Sequence, residues 1–167
     1  MRALSPYVGT WQASTVFHNR DGRGPEYQEV GTYTVSWMLD STYLEWRINL
    51  HDRNNSGRGR SMLVLTTYNA DSSRYEQTYF YSGSPMRVFE SGVYDGAARE
   101  FRTRTFIPRE DGVRDEHVRT ITTMPSDSEI VHVHYSRYSD EAVERNDFSA
   151  TLRRSSAGGP AGASGAQ

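Results

Sequence analysis

Between Gly9 and Arg154 the chain is cut by turn residues into short runs, at the roughly 8–12-residue spacing of all-β sandwiches and barrels, and no window holds a helical period. The clearest run sets Leu44, Trp46, Ile48 and Leu50 against Glu45, Arg47, Asn49 and His51, the alternation of a strand with one buried face and one wet face. Trp11, Ala13, Thr15 and Phe17 share a face of a first strand that reaches about His18. Tyr33, Val35, Trp37 and Leu39 share a face of a second, between Glu26 and Leu39, where Gly31 reads as a bulge or bend. From Ser61 to Asn69 apolar residues fall on both faces, so the inner face there and through Tyr94 stays open. Further strands are expected near Arg74 to Tyr81, Met86 to Tyr94, Arg99 to Ile107, Val113 to Thr123, Glu129 to Tyr138 and Val143 to Leu152.

The punctuation suits hairpins: Asn19 to Pro25, Asp40-Ser41, Asp71 to Ser73, Ser82 to Pro85, Asp95-Gly96, Pro108 to Gly112 and Pro125 to Asp127. Asp52 to Gly59 reads as the longest internal loop. About ten antiparallel strands in sequence would leave exposed edges unless the meander closes, so the expected fold is an all-β, closed up-and-down barrel. Gly9-Thr10-Trp11 places a large ring where one end must be plugged, with a glycine beside it for close approach of another backbone, and Trp11 is read as the floor.

A chain of 167 residues suits one domain, expected over 1–154, with the Gly/Ala/Ser-rich segment 155–167 as a disordered tail. Hydrophobic residues make up only 35%, yet 11 Tyr, 6 Phe and 3 Trp supply large rings for a partly polar interior. All 19 basic residues are Arg, interleaved with acids to a net charge of −2, which gives nucleic acid or a membrane surface no basic patch to meet. The absence of cysteine excludes disulfides and thiolate chemistry. Met1 to Tyr7 lacks the apolar run of a signal peptide and no segment approaches a transmembrane length, so a cytoplasmic protein is expected.

Three groups of residues could carry chemistry. In His132-Val133-His134 the imidazoles share a strand face, and His117 in the preceding strand, with Asp115 or Glu116 nearby, would complete a metal or haem site if the register brought it across. The alternative buries Val131, Val133 and Tyr135 and leaves both histidines in water. Tyr75, Gln77, Tyr79 and Tyr81 form a stripe that could face Met86, Val88, Glu90 and Tyr94; turned inward, it would line a pocket of rings with a few orienting polar groups. A desolvated Glu90 would hold its proton more tightly and could work as a general acid or base with Tyr79 or His117; the alternative pairs it with Arg102 or Arg104 outside. Arg119 could meet a ligand carboxylate inside or an acid outside, and Trp37 and Trp46 read as core or cavity wall.

The chain also resembles a bacterial family known as DUF1579, a lipocalin-like group of the calycin superfamily. The resemblance is carried by Gly9-Thr10-Trp11, Gly31, Trp37 to Leu44, Tyr68-Asn69 followed by Tyr75, Gly92 with Asp95, and Arg153-Arg154. That family usually has glycine where this chain has Ser41 and aspartate where it has Asn69. The resemblance implies a lipocalin or fatty-acid-binding-protein-like barrel with a central cavity, without a helical lid because the Asn19 to Pro25 link is short; it supplies no activity.

Three functions follow as expectations. The first is binding of a small hydrophobic or aromatic molecule by a monomeric or homodimeric barrel, through Trp37, Trp46, Tyr75, Gln77, Tyr79, Tyr81, Glu90, Arg119, His132 and His134. The second is a cofactor-independent isomerase or cyclase acting in the same cavity on a small, secondary-metabolite-type substrate. The third is a metal or haem site at His117, His132 and His134. Only the last calls for a cofactor.

Overall fold

The computed structural model describes residues 2–18, 26–108 and 115–155. The strands run in chain order: β1 (Gly9–Phe17), β2 (Tyr27–Met38), β3 (Tyr43–Asp52), β4 (Asn55–Asn69), β5 (Arg74–Tyr81), β6 (Arg87–Asp95), β7 (Glu100–Ile107), β8 (Glu116–Ser126), β9 (Glu129–Tyr138) and β10 (Arg145–Arg154). Each pairs antiparallel with the next, and β10 returns to β1 from Trp11↔Arg154 to Phe17↔Phe148, so the sheet closes into the expected ten-stranded up-and-down barrel. Among the described residues the only helix is a 3₁₀ segment, Arg2–Tyr7, and no helix is long and apolar enough to cross a membrane. The Asn19 to Pro25 link and the tail beyond Ser155 lie outside the described residues.

Closure decides which face of each strand is inside. Ile48 and Trp46 of β3 lie opposite Met62 and Val64 of β4, and these lie opposite Tyr81 and Tyr79 of β5. Met62 and Val64 therefore point inward, Leu63 and Leu65 outward, and the Tyr75, Gln77, Tyr79, Tyr81 stripe faces the interior. Gly31 sits in unbroken register between Ala13 and Leu50, so it is not a bulge. A Cβ there would lie 2.0 Å from the Asn49 carbonyl oxygen, and only glycine lets β2 and β3 approach this closely.

One end is sealed as the Gly-x-Trp motif implies, with additions the sequence did not show. Trp11 is fully buried and its Nε1 donates to the Tyr7 carbonyl at 2.9 Å. The Arg2–Tyr7 segment inserts Leu4 and Tyr7 beneath it, and the Tyr7 ring meets Trp46 at 5.5 Å and Tyr94 at 6.2 Å. What approaches Gly9 is a guanidinium, not a backbone: a Cβ there would lie 2.5 Å from Arg154 Nη1. Arg154 lies over the Trp11 ring at 4.1 Å and donates to the carbonyls of Asp127, Val8 and Pro6, tying the first segment, the β8–β9 turn and the last strand together.

Four boundaries differ from the sequence reading. The Asp52 to Gly59 stretch is no long loop: Asp52 pairs with Asn55, Asp52 Oδ1 accepts the Asn54 amide at 2.8 Å, and β4 starts at once. Leu39 leaves the inner face of β2 and is 66% exposed, because Leu39, Asp40 and Ser41 adopt φ of 48°, 53° and 67° in a turn closed by Thr42 N donating to Leu39 O at 3.0 Å. The expected eighth strand began at Val113, outside the described residues; β8 runs to Ser126 through a register shift after Thr123. The last strand runs to Arg154 because Arg154 closes the floor.

Candidate functional site

Above Trp11 the barrel is hollow. The cavity measures about 270 Å³, room for on the order of nine waters. Its lower wall is Tyr33, Trp46, Phe101, Ile130 and Leu152, its sides are Ile48, Leu50, Met62 and Val64, and Phe17, Arg60, Tyr81 and Phe148 line the end away from Trp11. Most of the wall is apolar because period-two strands place Leu, Ile, Val and aromatic residues on one face, and closure turns that face inward.

Two polar groups interrupt it. On β4 to β7, Gln77 Nε2 donates to Thr66 Oγ1 at 2.9 Å, and the Tyr79 hydroxyl lies 3.2 Å from Gln77 Oε1 and 3.3 Å from Glu90 Oε2. One hydroxyl proton serves one of those acceptors at a time. The Thr103 hydroxyl donates to the same Glu90 oxygen in a short contact. Glu90 is 5% exposed, and burial raises its carboxyl above the ordinary range while the Thr103 bond pulls the other way. Burial, then the neighbouring Glu90, holds the Tyr79 phenol well above the usual tyrosine range.

The second group stands on β9 and β10. His132 Nδ1 lies 2.8 Å from Thr122 Oγ1, and burial, followed by the charge of His134, lowers its pKa to about 3, so the ring is neutral at physiological pH. His134 Nδ1 lies 3.2 Å from Asp147 Oδ2, which also accepts the Ser136 hydroxyl. Phe148, opposite His134 in the ladder, stacks on His134 at 4.7 Å and 15° and on His132 at 5.6 Å and 19°.

Of the residues expected at the site, Trp46, Gln77, Tyr79, Tyr81, Glu90, His132 and His134 line the cavity. The others do not. Trp37 packs against the core, and Tyr75 is buried below the cavity against Phe101 at 5.5 Å and Tyr68 at 5.1 Å. Arg119 points outward, bonded to Glu144 at 2.6 Å with its guanidinium 4.3 Å over the Tyr135 ring. His117 is outside as well, edge-on to Phe106 at 5.3 Å.

The three-histidine metal or haem site does not form. His134 lies opposite Thr120, and His117 is three positions from Thr120; an odd offset puts it on the other face of the wall. Among the described residues no group of three or more His, Asp or Glu side chains is placed to hold a metal.

Three features of the site were missed. Arg60, inside the stretch expected to be a loop boundary, is the cation of the wall: its Nε and Nη2 donate to Glu29 Oε1 at 3.0 and 2.6 Å, and it covers Phe17 at 4.5 Å. Its spacing by two from Met62 and Val64 was the available signal. Phe148 shares the inward parity of Ala150 and Leu152. Asp147 had no signal, because a bulge between Asn146 and Phe148 is what brings it to His134.

No family model matches this chain, and no curated protein matches it in sequence. Among solved structures it is similar to the S-type phycobiliprotein lyase CPES from Guillardia theta, with a TM-score of 0.64 at 9% identity over 92% of this chain and 91% of that one. At that identity the likeness shows the fold, a lipocalin-like barrel, and does not carry the lyase activity across.

Proposed function

We propose that the protein binds a small, mainly apolar, ring-containing molecule in its barrel cavity. The observation that carries this reading is the cavity itself: about 270 Å³ left unfilled inside a closed barrel, walled by rings and aliphatic chains, with Gln77, Tyr79, Glu90, His132 and His134 as orienting polar groups. Protein interiors ordinarily pack to crystal density, so a hollow of this size is space a guest can use. The likeness to a phycobiliprotein lyase supports the architecture on which such a pocket is built. The DUF1579 relationship is part of the same proposal. It is supported by the order of the motifs from Gly9-Thr10-Trp11 to Arg153-Arg154 and by Ser41, whose φ of 67° marks a turn position suited to that family's glycine.

The test is native mass spectrometry of the purified protein, followed by calorimetric titration with naphthalenes, indoles and flavone-sized polyphenols. Saturable one-to-one binding that a bulky substitution such as Val64→Trp abolishes is expected. No retained or added guest across the panel, with the fold intact, refutes it.

A second reading is favoured by one observation. Glu90, itself buried, lies within hydrogen-bond reach of Tyr79, at 3.3 Å, the arrangement that a cofactor-independent isomerase or cyclase needs for an acid or base.

A further inference from the structure

The cavity holds two proton carriers of different kinds, in settings that favour opposite roles. His134 Nδ1 is engaged by Asp147, whose carboxylate can only accept, so in the neutral ring the proton sits on Nδ1 and the lone pair on Nε2. Ser136 donates to the same Asp147 oxygen and Phe148 stacks on the imidazole at 4.7 Å, fixing both the carboxylate and the plane of the ring. His134 Nε2 makes no hydrogen bond among the described residues, and the side chain lines the cavity. On the wall reached across β7 and β8, Glu90 is buried and within reach of the Thr103 and Tyr79 hydroxyls; burial favours the protonated acid, and those two donors oppose it only in part.

Resting on the isomerase reading, the geometry points to a proton-transfer activity on a small cyclic ketone, with His134 as base, Asp147 as its positioning residue and Glu90 as acid. His134 Nε2 takes a proton from the carbon next to the carbonyl, and the C–H electron pair becomes the C=C bond of the enol. Glu90 gives its proton to the carbonyl oxygen, whose π pair forms the new O–H bond. On return the Glu90 carboxylate takes back the enol proton, and the His134 imidazolium protonates the same carbon. In a β,γ-unsaturated ketone it protonates the γ carbon, which moves the double bond into conjugation. Both side chains end as they began, and no co-reactant is consumed. The apolar wall suits such a substrate, since an uncharged ketone enters without losing a strong hydration shell.

The probe is 2-tetralone with the full-length protein in D2O, exchange at the α carbons being followed by NMR and binding by calorimetry. Exchange at least about 100-fold faster than with an equal concentration of free imidazole is expected, with deuterium entering one prochiral position in preference. His134→Gln should return exchange to the imidazole level with the barrel still folded by circular dichroism. Asp147→Asn should lower kcat about tenfold or more at nearly constant KM, with partial recovery in Asp147→Glu. Stereoselectivity in the unmodified protein is the readout that no folding defect can mimic. Tetralone that binds but exchanges no faster than with imidazole, or without selectivity, overturns this inference and leaves ligand binding standing. Tetralone that does not bind overturns it too, and tells against the pocket itself.

Discussion

His132 offers the most direct test of the polar interior. Its pKa falls from 6.5 to about 3 because the ring is buried beside His134. At about 1.4 kcal/mol per pH unit, that depression corresponds to ~5 kcal/mol of stability that the native state holds when the ring is neutral. The unfolded chain protonates this histidine near 6.5 and the folded barrel does so only near 3. Stability from this group is therefore complete above pH 6.5 and lost progressively as the pH falls toward 3. The measurement is urea unfolding from pH 4 to 8, read by tryptophan fluorescence, for the native protein and His132→Gln. Gln does not titrate and can still bond Thr122 Oγ1. Between about pH 4 and 6 the difference between the two unfolding free energies should change by about 1.4 kcal/mol per pH unit, the signature of one proton. A difference that is flat in pH would show that His132 protonates without opposition and that the ring is not desolvated in the barrel.

Glu90 carries the opposite sign: its carboxyl is raised in the folded state, so its contribution is lost as pH rises, and Glu90→Gln should gain stability relative to the native protein with increasing pH in the same unfolding series. At the floor, Arg154→Ala removes bonds to three carbonyls and the contact over Trp11, and is expected to cost about 2–3 kcal/mol in thermal or urea unfolding, with Arg154→Lys recovering only part. Gly31→Ala drives a Cβ to 2.0 Å from Asn49 O and should destabilise by about 2 kcal/mol or more, seen as a lower midpoint or as loss of soluble protein. Arg119→Ala, breaking an outer ion pair with Glu144, should change stability by less than about 1 kcal/mol and leave ligand titrations untouched.

Much of the barrel could be read from the chain because strand identity is a local property. Period two in Leu44 to His51, and in Trp11 to Phe17, marks one buried face wherever those strands end up. Where both faces of a strand carry apolar residues, as in Met62 to Leu65, the pattern is silent, and the pairing Trp46↔Val64 supplied the answer. The site divides in the same way. Tyr79, Gln77 and Glu90 were legible as one stripe against a partner strand, and Gln77↔Glu90 is a pair in the β5–β6 ladder. The metal cluster failed because it needed a register between β8 and β9 that a count of residues through the Pro125 to Ser128 turn could not fix.

Alternation of side chains and the chemistry of the turns are written in neighbours a few residues apart, so the sequence by itself determined the ten strands, the aromatic interior and the role of Trp11 as a plug. Which rings and acids share the hollow depends on closure, on register between strands, and on the bulge beside Asp147. These are set by contacts between residues far apart in the chain, such as Arg154 with Val8 or His134 with Asp147, and a one-residue slip would reverse each of them. The tertiary structure alone decided that His134 has a carboxylate at its back, that Arg60 is already matched by Glu29, and that His117 and Arg119 stand outside.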